Sequence, residues 1–256
     1  MFREIQQCKI HFERLGQGEK KVVLLHGWGC SIGTMRPVAA ALETDHQILI
    51  PDFPAHGESG KPPEPWGIPE FASCLKELLK EESFIPCAVV AHSFGARVAA
   101  YLAAEDENLF TRIVLTGAAG LKAPVSEEAK KKNLRYRREK EAVKKLEKIP
   151  GLGRLSGRLE EGLVQRYGSA DYKALDPEMR KTFVRVIGMD LSDCYPRIRQ
   201  STLLIWGDRD TETPLWMGQK MEQLIPDAGL VVFEGGSHFA YAEQIGRFNT
   251  ILRNFL

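Results

Sequence analysis

The sequence predicts an α/β protein: a mostly parallel, twisted sheet with helices on both faces and a helical insertion. Three observations carry that prediction. Short runs of Val, Ile and Leu recur along the chain, helix-length amphipathic stretches lie between them, and a long segment near residues 120–196 contains no strand-like run. A length of 256 residues with 43% hydrophobic content supplies one sizeable core carrying an insertion, and gives no ground for two independent domains.

The strand-like runs are "KVVLL" from Lys21, "QILIP" from Gln47, "CAVVA" from Cys87, "RIVLT" from Arg112, "TLLIW" from Thr202 and "LVVF" from Leu230. Runs this short and this apolar, bounded by turn residues, fit strands buried on both faces of a parallel sheet. Two further segments, Glu4 to Gln7 and Lys9 to Glu13, have no helix between them and suit an antiparallel edge. Helices are expected at Met35 to Glu43, Pro69 to Glu82, Gly95 to Ala104, Pro214 to Leu224 and Ala240 to Phe255. The core is therefore expected to comprise residues 1–119 and 197–256. Residues 120–196 then form a helical cap inserted after the sixth strand, punctuated by Gly and Pro.

Thirty-five Lys and Arg against 34 Asp and Glu leave a formal charge of +1, so no global field points to nucleic acid or membrane as partner. The N-terminal stretch breaks its apolar residues with charges and resembles neither a signal peptide nor a membrane span. Cys8, Cys30, Cys74, Cys87 and Cys194 are odd in number, scattered and without a C-x-x-C pair, which argues for reduced thiols in the cytoplasm rather than disulfides or zinc. No His and carboxylate pairing has metal-ligand spacing. "GLGRLSG" lacks both the preceding strand and the lysine of a phosphate loop. A cofactor-free enzyme acting on a small molecule is the expectation, with oligomeric state undetermined.

In an open α/β sheet, ligands bind at the carboxyl ends of the strands, so the residues just after each run are the informative ones. Four such loops stand out: "HGWGCS" from His26, "HSFG" from His92, "GDRDTETP" from Gly207 and "GGSHFA" from Gly235. A serine hydroxyl needs an adjacent base to become a nucleophile, and the base needs a carboxylate on its other nitrogen. Ser93 and His238 fit the first two roles, and Asp208, Asp210 and Glu212 all offer the third.

The order Ser, Asp, His on this alternating pattern resembles the α/β-hydrolase family, as do "LLHGWG", "PDFPAHGES", "LLIWGDRDTETP" and "GGSHF" in sequence. "LLHGWG" in particular is similar to small carboxylesterases. The resemblance implies a Ser-His-Asp acyl-enzyme mechanism on small carboxylic esters, with Asp210 as the acid. It also implies an oxyanion hole formed by the backbone N–H groups of Trp28 and Phe94. The same machinery would serve an amide, thioester or carbon-carbon bond, and a ligand-binding homologue with little turnover is the reading from another class. A lyase would need a lysine of the insertion aimed at the substrate.

The elbow departs from G-x-S-x-G, because Ala91 stands where the first glycine is usual, and Ala55 similarly occupies a common glycine position in "DFPAHGES". Alanine at position 91 adds a single methyl group, so Ser93 is read as a competent nucleophile rather than only a helix N-cap. His26 and His92 are expected to bond loop backbone, His56 to be a turn residue and Asp52 to satisfy backbone groups. His11 and His46 show no constellation. From Lys122 to Lys148 eleven basic residues face five acidic ones, read as a solvated helix face rather than a site for anions. Tyr136, Tyr167, Tyr172, Phe183 and Met189 are candidates to line a pocket from the insertion.

Overall fold

The computed structural model describes residues 1–122, 126–147, 149 and 152–256. Lys148, which ends the basic stretch, and Gly151, which begins "GLGRLSG", lie outside the described residues. The chain divides into two compact units, one of Met1–Leu121 with Arg185–Leu256 and the other of Lys122–Val184.

The first unit is built on eight strands: β1 (Phe2–Ile5), β2 (Cys8–Leu15), β3 (Lys20–Leu25), β4 (His46–Pro51), β5 (Cys87–His92), β6 (Phe110–Thr116), β7 (Thr202–Gly207) and β8 (Ala228–Phe233). They lie in the order β1-β2-β4-β3-β5-β6-β7-β8. Only the pairings of β1 with β2 and of β2 with β4 are antiparallel. Ile5 pairs with Cys8, and Gln6 and Gln7 between them both have positive φ, the geometry of a tight two-residue hairpin turn. With no Gly, Asn or Asp to mark that turn, the sequence alone puts the first strand two residues late.

Alternation along the strands builds both faces of the sheet. Val23, Leu25, Leu49, Val89, Ala91, Ile113 and Leu115 join one buried cluster, shared with α2 (Ile68–Glu81), α3 (Phe94–Glu105) and α8 (Leu215–Leu224). Val22, Leu24, Ile48, Ile50, Val90 and Val114 join the other, shared with α1 (Ile32–Ala39), α9 (Ala240–Glu243) and α10 (Ile245–Phe255). Successive strand residues point to opposite faces, so apolar runs without polar alternation demand helices on both. The expected last helix is broken at Gln244, whose backbone (φ −116°, ψ 45°) leaves helical geometry.

The second unit is helical: α4 (Glu127–Glu147), α5 (Gly153–Tyr167), α6 (Ala170–Ala174) and the start of α7 (Pro177–Gly188). Within it, the rings of Tyr136 and Tyr167 lie 5.4 Å apart, and Arg180 clasps Glu161 through two bonds of 2.7 and 3.1 Å. Tyr172 and Phe183 pair at 6.2 Å, while Met189 packs on the core of the first unit. Residues 185–196, expected to end the insertion, fall in the first unit, where Val186, Leu191, Cys194 and Tyr195 are buried. Among the described residues no helix is long and apolar enough to cross a membrane.

Candidate active site

β4 and β5 lie on opposite sides of β3, so the chain changes direction of winding between β3 and β5. A crevice opens at the carboxyl ends of strands at such a switch point. The loop after β3 carries Trp28, and the turn after β5 carries Ser93.

Ser93 sits between the last residue of β5 and the first of α3, with φ 49° and ψ −105°. Positive φ is uncommon for a side chain bearing Cβ and is held here by its surroundings. The Ser93 N–H donates to Thr116 O at 3.0 Å on the neighbouring strand, and Gly95 N–H donates to His26 O at 3.2 Å. Gly95 has to be glycine for space: a Cβ there would sit 2.7 Å from His26 O and 2.8 Å from Leu25. Although Ser93 occupies the N-cap position of α3, its side chain makes no capping hydrogen bond.

Its hydroxyl instead lies 3.0 Å from Nε2 of His238, in the loop after β8. Nδ1 of the same ring lies 2.8 Å from Oδ2 of Asp210, in the loop after β7. Residues 93, 210 and 238 thus form one hydrogen-bonded line from three strand ends. Gly207 lets the last two loops meet, since a Cβ there would collide with the carbonyl oxygens of Gly236 and Ser237.

The three carboxylates of the acid loop have distinct places. Asp210 accepts from the N–H groups of Glu212 and Thr213 at 2.9 and 2.8 Å, and from the Thr213 hydroxyl at 2.7 Å. Burial opposes its ionisation, and the hydrogen bonds from His238 and Thr213 outweigh it, holding the carboxyl below its ordinary range. Asp208 accepts from Gly235 N–H at 2.7 Å, and Glu212 brings Oε2 to 3.5 Å from His238 Nε2. Nothing in the spacing of the loop marks Thr213 as a partner of Asp210.

The turn after β3 is closed by Cys30 N–H donating to Gly27 O at 3.2 Å, with Gly29 at φ 71°. Trp28 is its second residue, and its ring lies 5.3 Å from that of Phe94. Phe94 is the first residue of α3, so its N–H has no acceptor within the helix and stands at the positive end of the helix dipole.

His26 is fully buried, with Nδ1 on Gly27 O at 2.7 Å and Nε2 accepting from Phe53 N–H at 3.1 Å. Burial, with His56 nearby, lowers its pKa to about 4. His92 is held through Nδ1 by Thr116 O at 3.1 Å, and burial beside His238 lowers its pKa to about 3. Both rings therefore bind backbone while neutral, His26 in the loops after β3 and β4, and His92 at the last residue of β6 rather than in a loop. His56 bonds Pro54 O and packs against Trp28, and its pKa is lowered by burial.

Asp52 accepts from Ile32 and Glu58 N–H at 2.8 and 3.0 Å, and also engages His11 Nδ1 at 2.8 Å, a pairing that spacing alone does not signal. Among the described residues no cluster of His, Cys, Asp or Glu could hold a metal ion.

A family model described as the alpha/beta hydrolase fold matches residues 20–244. The chain is 26% identical to a 2-hydroxy-6-oxo-6-phenylhexa-2,4-dienoate hydrolase of Burkholderia cepacia, covering 98% of this chain and 92% of that protein. It is 27% identical to a pimeloyl-[acyl-carrier protein] methyl ester esterase of Chromobacterium violaceum, covering 88% of this chain and 89% of that protein. Among solved structures, a meta-cleavage product hydrolase of Pseudomonas fluorescens matches with a TM-score of 0.74 at 21% identity, over 100% of this chain and 96% of that one.

Proposed function

This chain belongs to the alpha/beta hydrolase fold family, and from that premise we propose that it is a serine hydrolase cleaving small carboxylic esters through an acyl-enzyme. One observation carries the reading: Ser93 Oγ at 3.0 Å and Asp210 Oδ2 at 2.8 Å, on opposite nitrogens of His238. An imidazole so held accepts a proton at Nε2 while its Nδ1–H donates to a carboxylate that stabilises the resulting cation.

In the first half-reaction Ser93 Oγ attacks the carbonyl carbon as His238 Nε2 takes the hydroxyl proton. The carbon-oxygen bond to the alcohol then breaks, and the same proton passes from Nε2 to the departing alcohol. In the second half a water gives its proton to Nε2 and attacks the acyl carbon, and Ser93 leaves reprotonated. The oxyanion of each tetrahedral intermediate is held by the N–H groups of Trp28 and Phe94. The position of Phe94 at the N-terminus of α3 supports that role.

The test is hydrolysis of p-nitrophenyl esters of increasing acyl length by the wild type and Ser93→Ala. Turnover that depends on Ser93 and favours one length range is the expected result; no turnover at any length overturns the ester reading. A second reading, hydrolysis of a carbon-carbon bond next to a ketone, is favoured by the similarity to the dienoate hydrolase over 98% of this chain. Serine-dependent cleavage of that dienoate, with inert esters, would select it.

A further inference from the structure

Glu212 stands apart from the other carboxylates of its loop. Asp210 is buried, and its charge is shared among two backbone N–H groups, the Thr213 hydroxyl and His238. The Glu212 side chain is 64% exposed, yet its Oε2 is 3.5 Å from His238 Nε2, the nitrogen that also bonds Ser93 Oγ. Its main chain is fixed as well, because the Glu212 N–H donates to Asp210 Oδ1 at 2.9 Å. A negative charge is thus tethered to the acid loop and shares its polar neighbour with the reacting hydroxyl.

We propose that Glu212 sets the charge selectivity of the Ser93 site: it disfavours substrates with a carboxylate near the scissile carbonyl and admits neutral and cationic ones. The proposal rests on Ser93 being the nucleophile. A carbonyl carbon poised for attack lies about 3–3.5 Å from Ser93 Oγ, which brings the groups attached to it close to Glu212. Repulsion between like charges at such range is strengthened where the substrate displaces water. An anionic substrate meets that repulsion both on binding and in the transition state, so the penalty is read in kcat/KM and in Kd. At Nε2 the carboxylate cannot replace Asp210, whose place is at Nδ1.

The test compares three p-nitrophenyl esters of matched length, with a neutral, a carboxylate-bearing and a trimethylammonium-bearing acyl chain. Each is measured with the wild type, Glu212→Gln and Glu212→Lys. Wild type should prefer the cationic and neutral esters. Glu212→Gln should raise kcat/KM for the anionic ester about fivefold relative to the neutral one, and Glu212→Lys more, both effects shrinking with salt. Unchanged ratios in both variants overturn the proposal.

Absence of ester turnover in the wild type would instead sink the ester reading. Charge selectivity is then read from the Kd of the same three esters for Ser93→Ala, with and without Glu212→Gln. A Kd ratio that moves toward the anionic ester supports the role of Glu212, and one that does not move overturns it.

Discussion

Thr213 holds Asp210 by two donors, its backbone N–H at 2.8 Å on Oδ1 and its hydroxyl at 2.7 Å on Oδ2. The second is on the oxygen that faces His238 Nδ1. Hydrogen bonds to a charged group are worth about 1.5–3 kcal/mol, so this hydroxyl bears on both the ionisation and the aim of the carboxylate. Thr213→Val should lower kcat about tenfold with little change in KM, and Thr213→Ser should recover most of the loss. Steady-state kinetics on the best p-nitrophenyl ester would check both; an unaffected kcat in Thr213→Val means the hydroxyl only fills space.

The roles read for Asp210 and Asp208 separate sharply. Asp210→Asn replaces an acceptor-only carboxylate by a neutral amide that can donate to Nδ1 and favour the wrong His238 tautomer, and should cut kcat about 10³–10⁴-fold. Asp208, bonded to Gly235 N–H rather than to the imidazole, should tolerate Asn within a few fold. The reverse ranking would move the acid to Asp208.

Ala91 and Ala55 both stand where the family often has glycine, and the structure gives them opposite consequences. Ala91 lies in β5, fully buried between neighbouring strands, so only one packed methyl group is at issue. Ala55 has φ 66°, where a Cβ is strained. Ala91→Gly should destabilise by about 1 kcal/mol and leave kcat within a few fold. Ala55→Gly should be neutral or stabilise by up to about 1 kcal/mol, as relief of strain offsets the added freedom of the unfolded chain. Urea unfolding of the two variants side by side decides the matter, and equal shifts of the same sign would contradict the account.

Acid should destabilise the fold through His26 and His92. Their folded pKa values, about 4 and about 3, lie below the ordinary 6.5, so between these limits the unfolded chain binds protons that the folded one excludes. Stability therefore rises with pH across that window, by up to roughly 1.4 kcal/mol per unit for each group. Asp52 and Asp210, both held below their ordinary range, add losses of the same sign as pH falls further, through their folded values. Unfolding free energies at pH 7.5, 6.0 and 5.0 should fall in that order, and a flat profile would mean that these imidazoles are protonated in the fold.

The sheet, the sites of most helices and the strand-end loops that carry Ser93, His238 and the candidate acids were legible in the sequence. These features write themselves locally: apolar runs specify buried strands, and short loops after them place Ser93, Asp210 and His238 at strand ends on one edge of the sheet. The hairpin at Gln6 and Gln7 was hidden because neither residue advertises positive φ. Which carboxylate meets which nitrogen was not legible in the sequence, and follows from how the folded loops meet. Asp210, Glu212 and Asp208 lie within five residues, yet they reach Nδ1, Nε2 and Gly235 N–H respectively. Such contacts are set by angles between loops from β7 and β8 that pack against each other through Gly207, and a spacing along the chain carries no record of those angles.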